Sequence, residues 1–463
     1  MKTKNEITLW EATAEICRFD SLNEKIRFTL AEACEGVIAF GATGSGKTSG
    51  TGTHIPLGML RAGFGGLVLC AKSDEPERFR ALAKSCGRES DIVMFGPGFT
   101  ERYNFLNAEL SGIGGGVESL IECFEQISQA ISGDGQQQGD IWERAARQLL
   151  RNILDLFRIS GRPIEIPDLY KAAVDQVFQD DLLRSASPSD PRDQRDLVTI
   201  RAYLQQEFRN MGDKTKASVL MQLTSCLDPF LRGSMRELFC TTTTISPMDC
   251  RKGKIIVVNL PLKTYKKLGQ AAAVAWKFAF QRTIEGFFGK EGQTAADQTT
   301  RPVFLFADEC QYFMSSYDSV FQTTARSSRA CTVYLTQNVP NLWLAGGRKA
   351  KDSTASLLGN LQTKILHQNS CPETYKWFTE VLGRELQDRA GRSASFHGEG
   401  GGGANTSISR DVQLDARDFQ VLAKGGKPFR FCTTAILQQG GKTYRGGKLW
   451  SQIAFQQQRE GKR

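Results

Sequence analysis

Short apolar runs recur along the chain and show little alternation between apolar and polar positions. They are rich in Val, Ile and Phe, which is typical of parallel strands buried between two layers of helices. The pattern predicts buried strands at Val37–Phe40, Leu67–Ala71, Ile92–Phe95, Ile255–Leu260, Val303–Ala307, Thr332–Thr336 and Phe429–Leu437. The predicted fold class is therefore α/β, with a mainly parallel central sheet.

The strand pattern stops after Asn104 and resumes at Lys254, and the stretch between them has helical periodicity. Helices are predicted at Asp196–Phe208 and Ala217–Phe230. A further helix carries an apolar stripe of Ile141, Trp142, Ala145, Leu149, Ile153, Leu156 and Phe157. We predict a first part of the α/β domain over residues 1–108, an inserted all-helical domain over 109–235, and the second part of the α/β domain over 236–463.

The 463-residue chain has the composition of an ordinary globular protein, with 40% hydrophobic and 24% charged residues. No uncharged apolar run approaches the roughly 18 residues that a membrane-spanning helix needs. No apolar segment follows the first residues, which argues against a secretory signal. The twelve cysteines are scattered singly and are accompanied by three histidines, which disfavours a structural zinc site. These features predict a cytoplasmic protein.

The net charge of +9 is unevenly distributed. Residues 109–232 contain 14 Lys and Arg against 19 Asp and Glu, so the rest of the chain carries +14. A basic body suits the passage of a polyanion, and an acidic insertion suits the docking of a separate partner. Solvated surface explains either charge equally well, so both interpretations stay open.

The strongest chemical signal is a complete phosphate-binding loop, which follows the predicted strand Val37–Phe40. Its glycines let the backbone curl until successive N–H groups converge on phosphate oxygens. Lys47 is expected to reach the β- and γ-phosphates, and Thr48 to ligate Mg²⁺. The predicted nucleotide-binding residues are Gly41, Ala42, Thr43, Gly44, Ser45, Gly46, Lys47, Thr48 and Ser49. The helix after the loop should be short or kinked, since Gly50, Gly52 and Pro56 follow closely.

A second signal lies at the end of the predicted strand Val303–Ala307, where two acids follow. Asp308 occupies the place of the carboxylate that holds Mg²⁺ in P-loop ATPases. Glu309 is expected to act as the general base that polarises the attacking water. The acidic pair predicts ATP hydrolysis rather than nucleotide binding alone. No Asn-Lys-x-Asp guanine motif is present, which favours ATP.

A third signal is the polar end of the next predicted strand, where Gln337 is placed to sense the γ-phosphate, as in RecA-like motors. Arg326 and Arg329 come just before that strand. Either arginine is a candidate for a finger that reaches into a neighbouring subunit and stabilises transition-state charge. Each is equally well explained as a surface arginine on a helix.

With these motifs in order, the chain resembles the type IV secretion system coupling proteins. These are the TraG/TraD-like conjugative DNA-transfer ATPases of the FtsK/HerA superfamily of P-loop ATPases. The resemblance covers about residues 35 to 455. Besides the motifs above, it rests on Leu69–Glu75, Asp91–Phe95, Tyr103–Leu106, Ile141–Glu143, Gln148–Arg151, Lys254–Pro261, Thr336–Asn338, Leu357–Ile365 and Leu382–Gly383.

The resemblance implies a RecA-like ATPase domain that assembles into a homo-hexamer and uses ATP and Mg²⁺. It implies an ATP-driven DNA translocase that delivers DNA, or a relaxase–DNA substrate, to a conjugative secretion apparatus. Relaxase or other secretion substrates would bind the helical insertion. Members of the family typically begin with transmembrane helices, whereas this chain begins almost directly at the motor. We therefore expect any attachment at the inner membrane to be peripheral, through a membrane-anchored partner.

Two other functions remain open at this stage. One is a HerA/FtsK-like DNA translocase in repair or defence, and the other is a nucleotide-switched adaptor ATPase that receives protein cargo. The sequence contains no helix-turn-helix or zinc-finger motif, so contact with DNA is expected to be non-sequence-specific. Lys263, Lys266 and Lys267 follow a predicted strand and are candidates for phosphate contacts, although a solvated cluster of charges would look the same.

Overall fold

The computed structural model describes residues 10–21, 24–111, 116–132, 140–287, 299–345, 350–393 and 403–457. Eleven of the strands form one sheet, in the order β2-β1-β13-β12-β9-β3-β8-β7-β4-β6-β5, and β10 pairs with β11 as a separate hairpin. The strands are β1 (Glu15–Ser21), β2 (Lys25–Thr29), β3 (Val37–Phe40), β4 (Gly65–Leu69), β5 (Ile92–Phe95), β6 (Ile255–Val258), β7 (Val303–Ala307), β8 (Ala330–Thr336), β9 (Thr363–His367), β10 (Arg384–Ser393), β11 (Gly403–Val412), β12 (Cys432–Gln439) and β13 (Ser451–Gln456).

The seven strands from β9 to β5 in this order run parallel. Every residue of β3, β4, β6, β7 and β8 is buried, because helices cover both faces of the sheet. Successive side chains enter opposite cores: Phe304 and Phe306 face one, while Leu305 and Ala307 face the other. The prediction of an α/β fold with a mainly parallel sheet is confirmed.

One predicted strand differs from the prediction. The run Phe429–Leu437 was assigned to the parallel set, but β12 starts at Cys432 and runs antiparallel to β9. Lys427–Phe429 forms a 3₁₀ turn, and Arg430 and Phe431 are left-handed, with φ of 53° and 58°. These conformations cannot continue a strand, which explains the later start.

The helices are α1 (Leu30–Cys34), α2 (Thr51–Arg61), α3 (Glu75–Ser85), α4 (Phe105–Ser111), α5 (Val117–Ser132), α6 (Asp140–Ser160), α7 (Ile166–Val174), α8 (Gln176–Ser185), α9 (Pro191–Ala202), α10 (Asp213–Leu227), α11 (Gly233–Phe239), α12 (Leu262–Gly286), α13 (Tyr317–Thr324), α14 (Val339–Ala345), α15 (Ala350–Asn360), α16 (Pro372–Leu382) and α17 (Ala416–Gln420). The predicted helix Asp196–Phe208 is α9 continued by a π-helix over Tyr203–Phe208. The predicted helix Ala217–Phe230 is α10 followed by a 3₁₀ turn at Asp228–Phe230.

Between β5 and β6 the described residues form helices and turns but no strand. These helices, α4 to α11, share one apolar core with α12 and one face of the sheet. Trp276 of α12 lies against Tyr103 and Phe95, with ring centroids 4.3 and 4.9 Å apart. The helical stretch is thus packed onto the motor core, and the domain limits at 109 and 235 stay a prediction.

Candidate nucleotide-binding site

The glycine-rich loop lies at the carboxyl edge of the sheet, directly after β3. Gly44 and Gly46 have φ of 74° and 82°, a region that side chains other than glycine rarely adopt. A Cβ on Gly46 would lie 2.5 Å from Oγ1 of Thr433 and 2.8 Å from the carbonyl oxygen of Lys424. Both the conformation and the close approach therefore require glycine at this position.

Neighbouring strands anchor the loop through its backbone. The N–H of Gly41 donates to the carbonyl of Thr336 at 3.2 Å, and the N–H of Ala42 donates to the carbonyl of Gln368 at 2.9 Å. The helix that follows, α2, begins only at Thr51 and has 11 residues with Pro56 inside it. This is an ordinary helix length, so the expectation of a short or kinked helix is not met; residues 43–50 form turns and bends instead, which delays the start of the helix.

Asp308 joins the two sequence motifs. Its Oδ1 accepts from Nζ of Lys47 at 2.7 Å, and its Oδ2 accepts from Oγ1 of Thr48 at 2.7 Å. Asp308 is fully buried. Burial alone would raise the pKa of Asp308, but the charges of Lys47 and Lys72 outweigh it and lower the pKa to about 2. The carboxylate is therefore ionised at any physiological pH.

Glu309 leaves the strand in a left-handed conformation, with φ of 52° and ψ of 47°. This is costly for a residue other than glycine and is typical of functional sites. Gln311 donates to Oε2 of Glu309 at 3.0 Å, and Nε2 of Gln337 lies 3.5 Å from both carboxylate oxygens. Burial opposes ionisation, yet Lys47, Gln311 and Lys72 hold the pKa of Glu309 below its usual range. The structure thus brings Lys47, Asp308, Glu309 and Gln337 into one cluster.

The oxygen atoms of this cluster suit a magnesium ion. The Asp308 carboxylate and the Thr48 hydroxyl are hard donors of the kind that Mg²⁺ prefers, and they already lie within hydrogen-bond distance of each other. A bound Mg²⁺ would neutralise charge on the phosphates. Lys47 and Asp308 already pair in the structure, so the site holds its charges balanced.

The two candidate arginine fingers lie elsewhere. Arg326 and Arg329 precede β8, at the opposite edge of the parallel sheet from the loop. Arg329 is 9% exposed, has φ of 47°, and donates to the carbonyl oxygens of Trp10 and Thr300 at 3.1 and 3.3 Å. Its burial and its bonds to backbone carbonyls argue against a finger role for Arg329, and the choice between the two arginines stays a prediction.

Arg326 has a different environment. Its side chain is 71% exposed and pairs with Oε1 of Glu35 at 3.2 Å. Exposed ion pairs of this kind are weak, so the guanidinium can exchange Glu35 for another anion. Within one chain it does not meet the nucleotide loop, and its role towards a neighbouring subunit stays a prediction.

Three residues near the loop are not predicted from the sequence to lie there. His367, at the end of β9, is fully buried and its Nε2 lies 2.8 Å from Oγ1 of Thr51. Thr433 donates to the carbonyl oxygen of Ser45 at 3.0 Å, and Gln457 donates to Oγ of Ser49 at 2.6 Å. They come from β9, from β12 and from the residue after β13, three successive strands of the sheet of which β9 lies beside β3. No local motif marks them.

Solved structures of the conjugative coupling protein TrwB share this fold. The unbound monoclinic form of TrwBdeltaN70 has a TM-score of 0.64 and 14% identity, over 94% of this chain and 87% of that chain. The TrwB complex with ADP and Mg²⁺ has a TM-score of 0.62 and 14% identity, over 94% and 88% of the two chains. The complex with the ATP analogue ADPNP has a TM-score of 0.63 and 14% identity, over 97% and 90%.

This likeness shows that the chain has the α/β fold of TrwB, with its mostly parallel central sheet. No protein-family model matches the chain, and no curated protein matches it either. Among the described residues, no helix is both long enough and apolar enough to span a bilayer.

Proposed function

We propose that the protein is an ATPase that drives DNA into a conjugative type IV secretion apparatus. The observation that carries the proposal is the meeting of Lys47, Thr48, Asp308, Glu309 and Gln337 at one edge of the sheet. Support for the DNA-transfer role comes from the fold shared with TrwB, a conjugative coupling protein solved with ADP and Mg²⁺.

Each residue of the cluster has a part in hydrolysis. Lys47 would offset the charge of the β- and γ-phosphates, and Thr48 and Asp308 would hold Mg²⁺. Glu309 accepts the proton of the attacking water as its oxygen bonds to the γ-phosphorus, while the bond from that phosphorus to the β–γ bridging oxygen breaks and ADP leaves. Gln337, 3.5 Å from Glu309, links the base to the γ-phosphate and senses whether it is present.

The DNA contact belongs to the start of α12, which follows β6. Lys263, Lys266 and Lys267 are all exposed there, at the same edge of the sheet as the nucleotide loop. No Asp or Glu occurs from Ile255 to Ile284, so nothing in this stretch offsets their charge. Lys266 has φ of 48° and ψ of −130°, a conformation that a lysine rarely adopts and that points to a functional constraint.

Protein partners belong to other surfaces. The acidic helical insertion is a poor surface for DNA, so we assign it to the relaxase or another secretion substrate. A homo-hexamer would place Arg326 of one subunit near the nucleotide of the next, where an arginine is worth about 10³–10⁵ in rate. Attachment to the membrane would be peripheral, through an anchored partner.

An ATPase assay tests the proposal. Turnover is measured without DNA, with single-stranded DNA and with duplex DNA, at several protein concentrations, and Glu309→Gln is the control. We expect DNA to stimulate turnover and specific activity to rise with concentration as rings assemble. Glu309→Gln should bind ATP but lose nearly all hydrolysis and keep only a slow residual turnover, because an amide cannot accept the proton of water.

Hydrolysis that no DNA affects would favour the protein-cargo adaptor. Stimulation by duplex DNA in a protein that binds no relaxase would favour a translocase of repair or defence. Normal turnover by Glu309→Gln would contradict the assignment of the base.

A further inference from the structure

A second lysine reaches the acidic pair, and the phosphate-binding loop does not supply it. Lys72 lies just after β4, the strand paired with β7, so it stands beside the end of β7 where Asp308 and Glu309 lie. Its Nζ is 3.1 Å from Oε1 of Glu309 and 3.5 Å from Oδ2 of Asp308. Among the side chains that the structure describes, it is the one cation paired directly with Glu309.

The backbone that carries Lys72 is held by a buried acid. Oε2 of Glu75 accepts from the N–H of Ala71 at 2.7 Å and from the N–H of Lys72 at 3.2 Å. Glu75 is 2% exposed, and the carbonyl of Ala71 accepts from the N–H of Leu262 at 3.1 Å. The turn is thus fixed from both sides, which aims the half-exposed Lys72 side chain at the acidic pair.

Lys47 lies closest to Asp308, and Lys72 lies closest to Glu309. Lys47 is bound to Asp308, and a lysine of a phosphate-binding loop is needed by the phosphates once nucleotide is present. Glu309 then keeps Lys72 as its charged partner, while Gln311 and Gln337 offer neutral amides. A charged partner holds a carboxylate more firmly than a neutral one does.

We propose that Lys72 is a positioning residue, which holds the Glu309 carboxylate in the orientation that it needs to act on water. The inference rests on the proposed ATP hydrolysis. Lys72 binds Oε1 and Gln311 binds Oε2, so the two together fix the plane of the carboxylate. Without Lys72 the carboxylate can turn towards Gln337, and a displacement of about 1 Å in a catalytic group can cost about 10²-fold in rate.

The test compares Lys72→Met, which removes the charge, with Lys72→Arg, which keeps it. The matched control is Lys84→Met on α3, an exposed lysine whose partner is Glu89, away from the site. For each variant, kcat and KM for ATP are measured, together with equilibrium binding of a fluorescent ATP analogue and thermal unfolding. Lys72→Met should lower kcat about 10- to 100-fold with KM and analogue binding within about twofold. Lys72→Arg should recover most of the loss.

A double-mutant cycle shows whether Lys72 acts through Glu309. In the Glu309→Gln background, Lys72→Met should lower the residual kcat no further, because the group that it positions is already gone. A further loss of the same size would overturn the inference, as would a normal kcat in Lys72→Met. A raised KM with unchanged kcat would also overturn it, since Lys72 would then bind the nucleotide.

Two outcomes separate this inference from the proposed function. If the wild type and Lys84→Met hydrolyse ATP but Lys72→Met is equally active, the positioning role alone fails. If the wild type does not hydrolyse ATP at all, the proposed function and this inference fail together. Should Lys72→Met not fold, Lys72→Gln carries the same prediction, because it removes the charge and keeps a polar head.

Discussion

Single residues at the nucleotide site carry a balanced set of charges. Asp308 and Glu309 face Lys47 and Lys72, and all four ionic groups lie within 3.5 Å of a partner. A phosphate entering this cluster adds negative charge, which Lys47 is placed to take up. The arrangement also keeps both carboxylates ionised before nucleotide arrives.

His367 makes the stability of the folded protein depend on pH. Its burial, and then the charge of Lys47, lower its pKa from 6.5 to about 3, so the imidazole is neutral in the folded protein. The unfolded chain takes up a proton below about pH 6.5 that the folded protein does not. Protonation therefore favours the unfolded state, and stability falls as the pH drops from 6.5 towards 3.

We predict that the His367→Gln variant does not show this loss of stability at low pH. Between pH 6 and pH 5, the free energy of unfolding of the wild type should fall relative to that of the variant by about 1.4 kcal/mol per pH unit. Urea unfolding at several pH values measures the difference. A constant difference across that range would mean that His367 is protonated in the fold.

Secondary-structure elements differ in how well the sequence revealed them. Six of the predicted strands are present in the parallel set, because each is a continuous apolar run covered on both faces. Two of the missed strands are only half-buried: β13 has an alternating burial pattern, and β1 has polar residues at every exposed position. β9 is fully buried, but Ile365 and Leu366 are its only consecutive apolar residues. A search for continuous apolar runs passes over such strands.

At the candidate site, too, local sequence reveals only some of the residues. The loop, the acidic pair and Gln337 each follow a strand and were predicted from local sequence. Local sequence gives Lys72 no role, since its partners lie 236 or more residues away and are set by the pairing of β4 with β7. The burial of Arg329 is not visible in sequence either, so the sequence leaves it open as a finger or as a surface arginine.

The start of α12, which follows β6, is the element that we assign to DNA. Changing Lys263, Lys266 and Lys267 to Glu should weaken binding to all sequences alike. The slope of log K against log salt should also fall, by about 0.9 for each lysine that contacts a phosphate of duplex DNA. Turnover without DNA should persist, because within the described part of the chain the ion pairs of Asp308 and Glu309 are with Lys47 and Lys72, not with these lysines.

A matched triple variant controls for net charge. Lys84, Lys214 and Lys252 are exposed at other surfaces, and changing them to Glu alters the charge of the protein by the same amount. Fluorescence anisotropy with labelled DNA at four or five salt concentrations gives the slopes. If both triple variants lose DNA affinity and salt slope equally, only the overall charge of the protein is important for DNA binding.

The whole molecule separates its charges along the chain. Residues 109–232 carry −5 and the rest of the chain carries +14, while the helices of that stretch pack onto the core through α12. Cutting out the stretch would expose the apolar faces of α12 and of the sheet, with which its helices share one core. Its role in partner choice is therefore better tested by changing exposed residues than by deletion.

The central claim is that ATP hydrolysis moves DNA through this protein. The most direct measurement is displacement of streptavidin from the biotinylated end of single-stranded and of duplex DNA. The wild type with ATP and Mg²⁺ should release streptavidin from at least one of the two substrates, and Glu309→Gln should release none while still binding DNA. Translocation would be contradicted if DNA stimulates ATP hydrolysis but streptavidin is released from neither substrate, whichever end of the DNA carries the biotin.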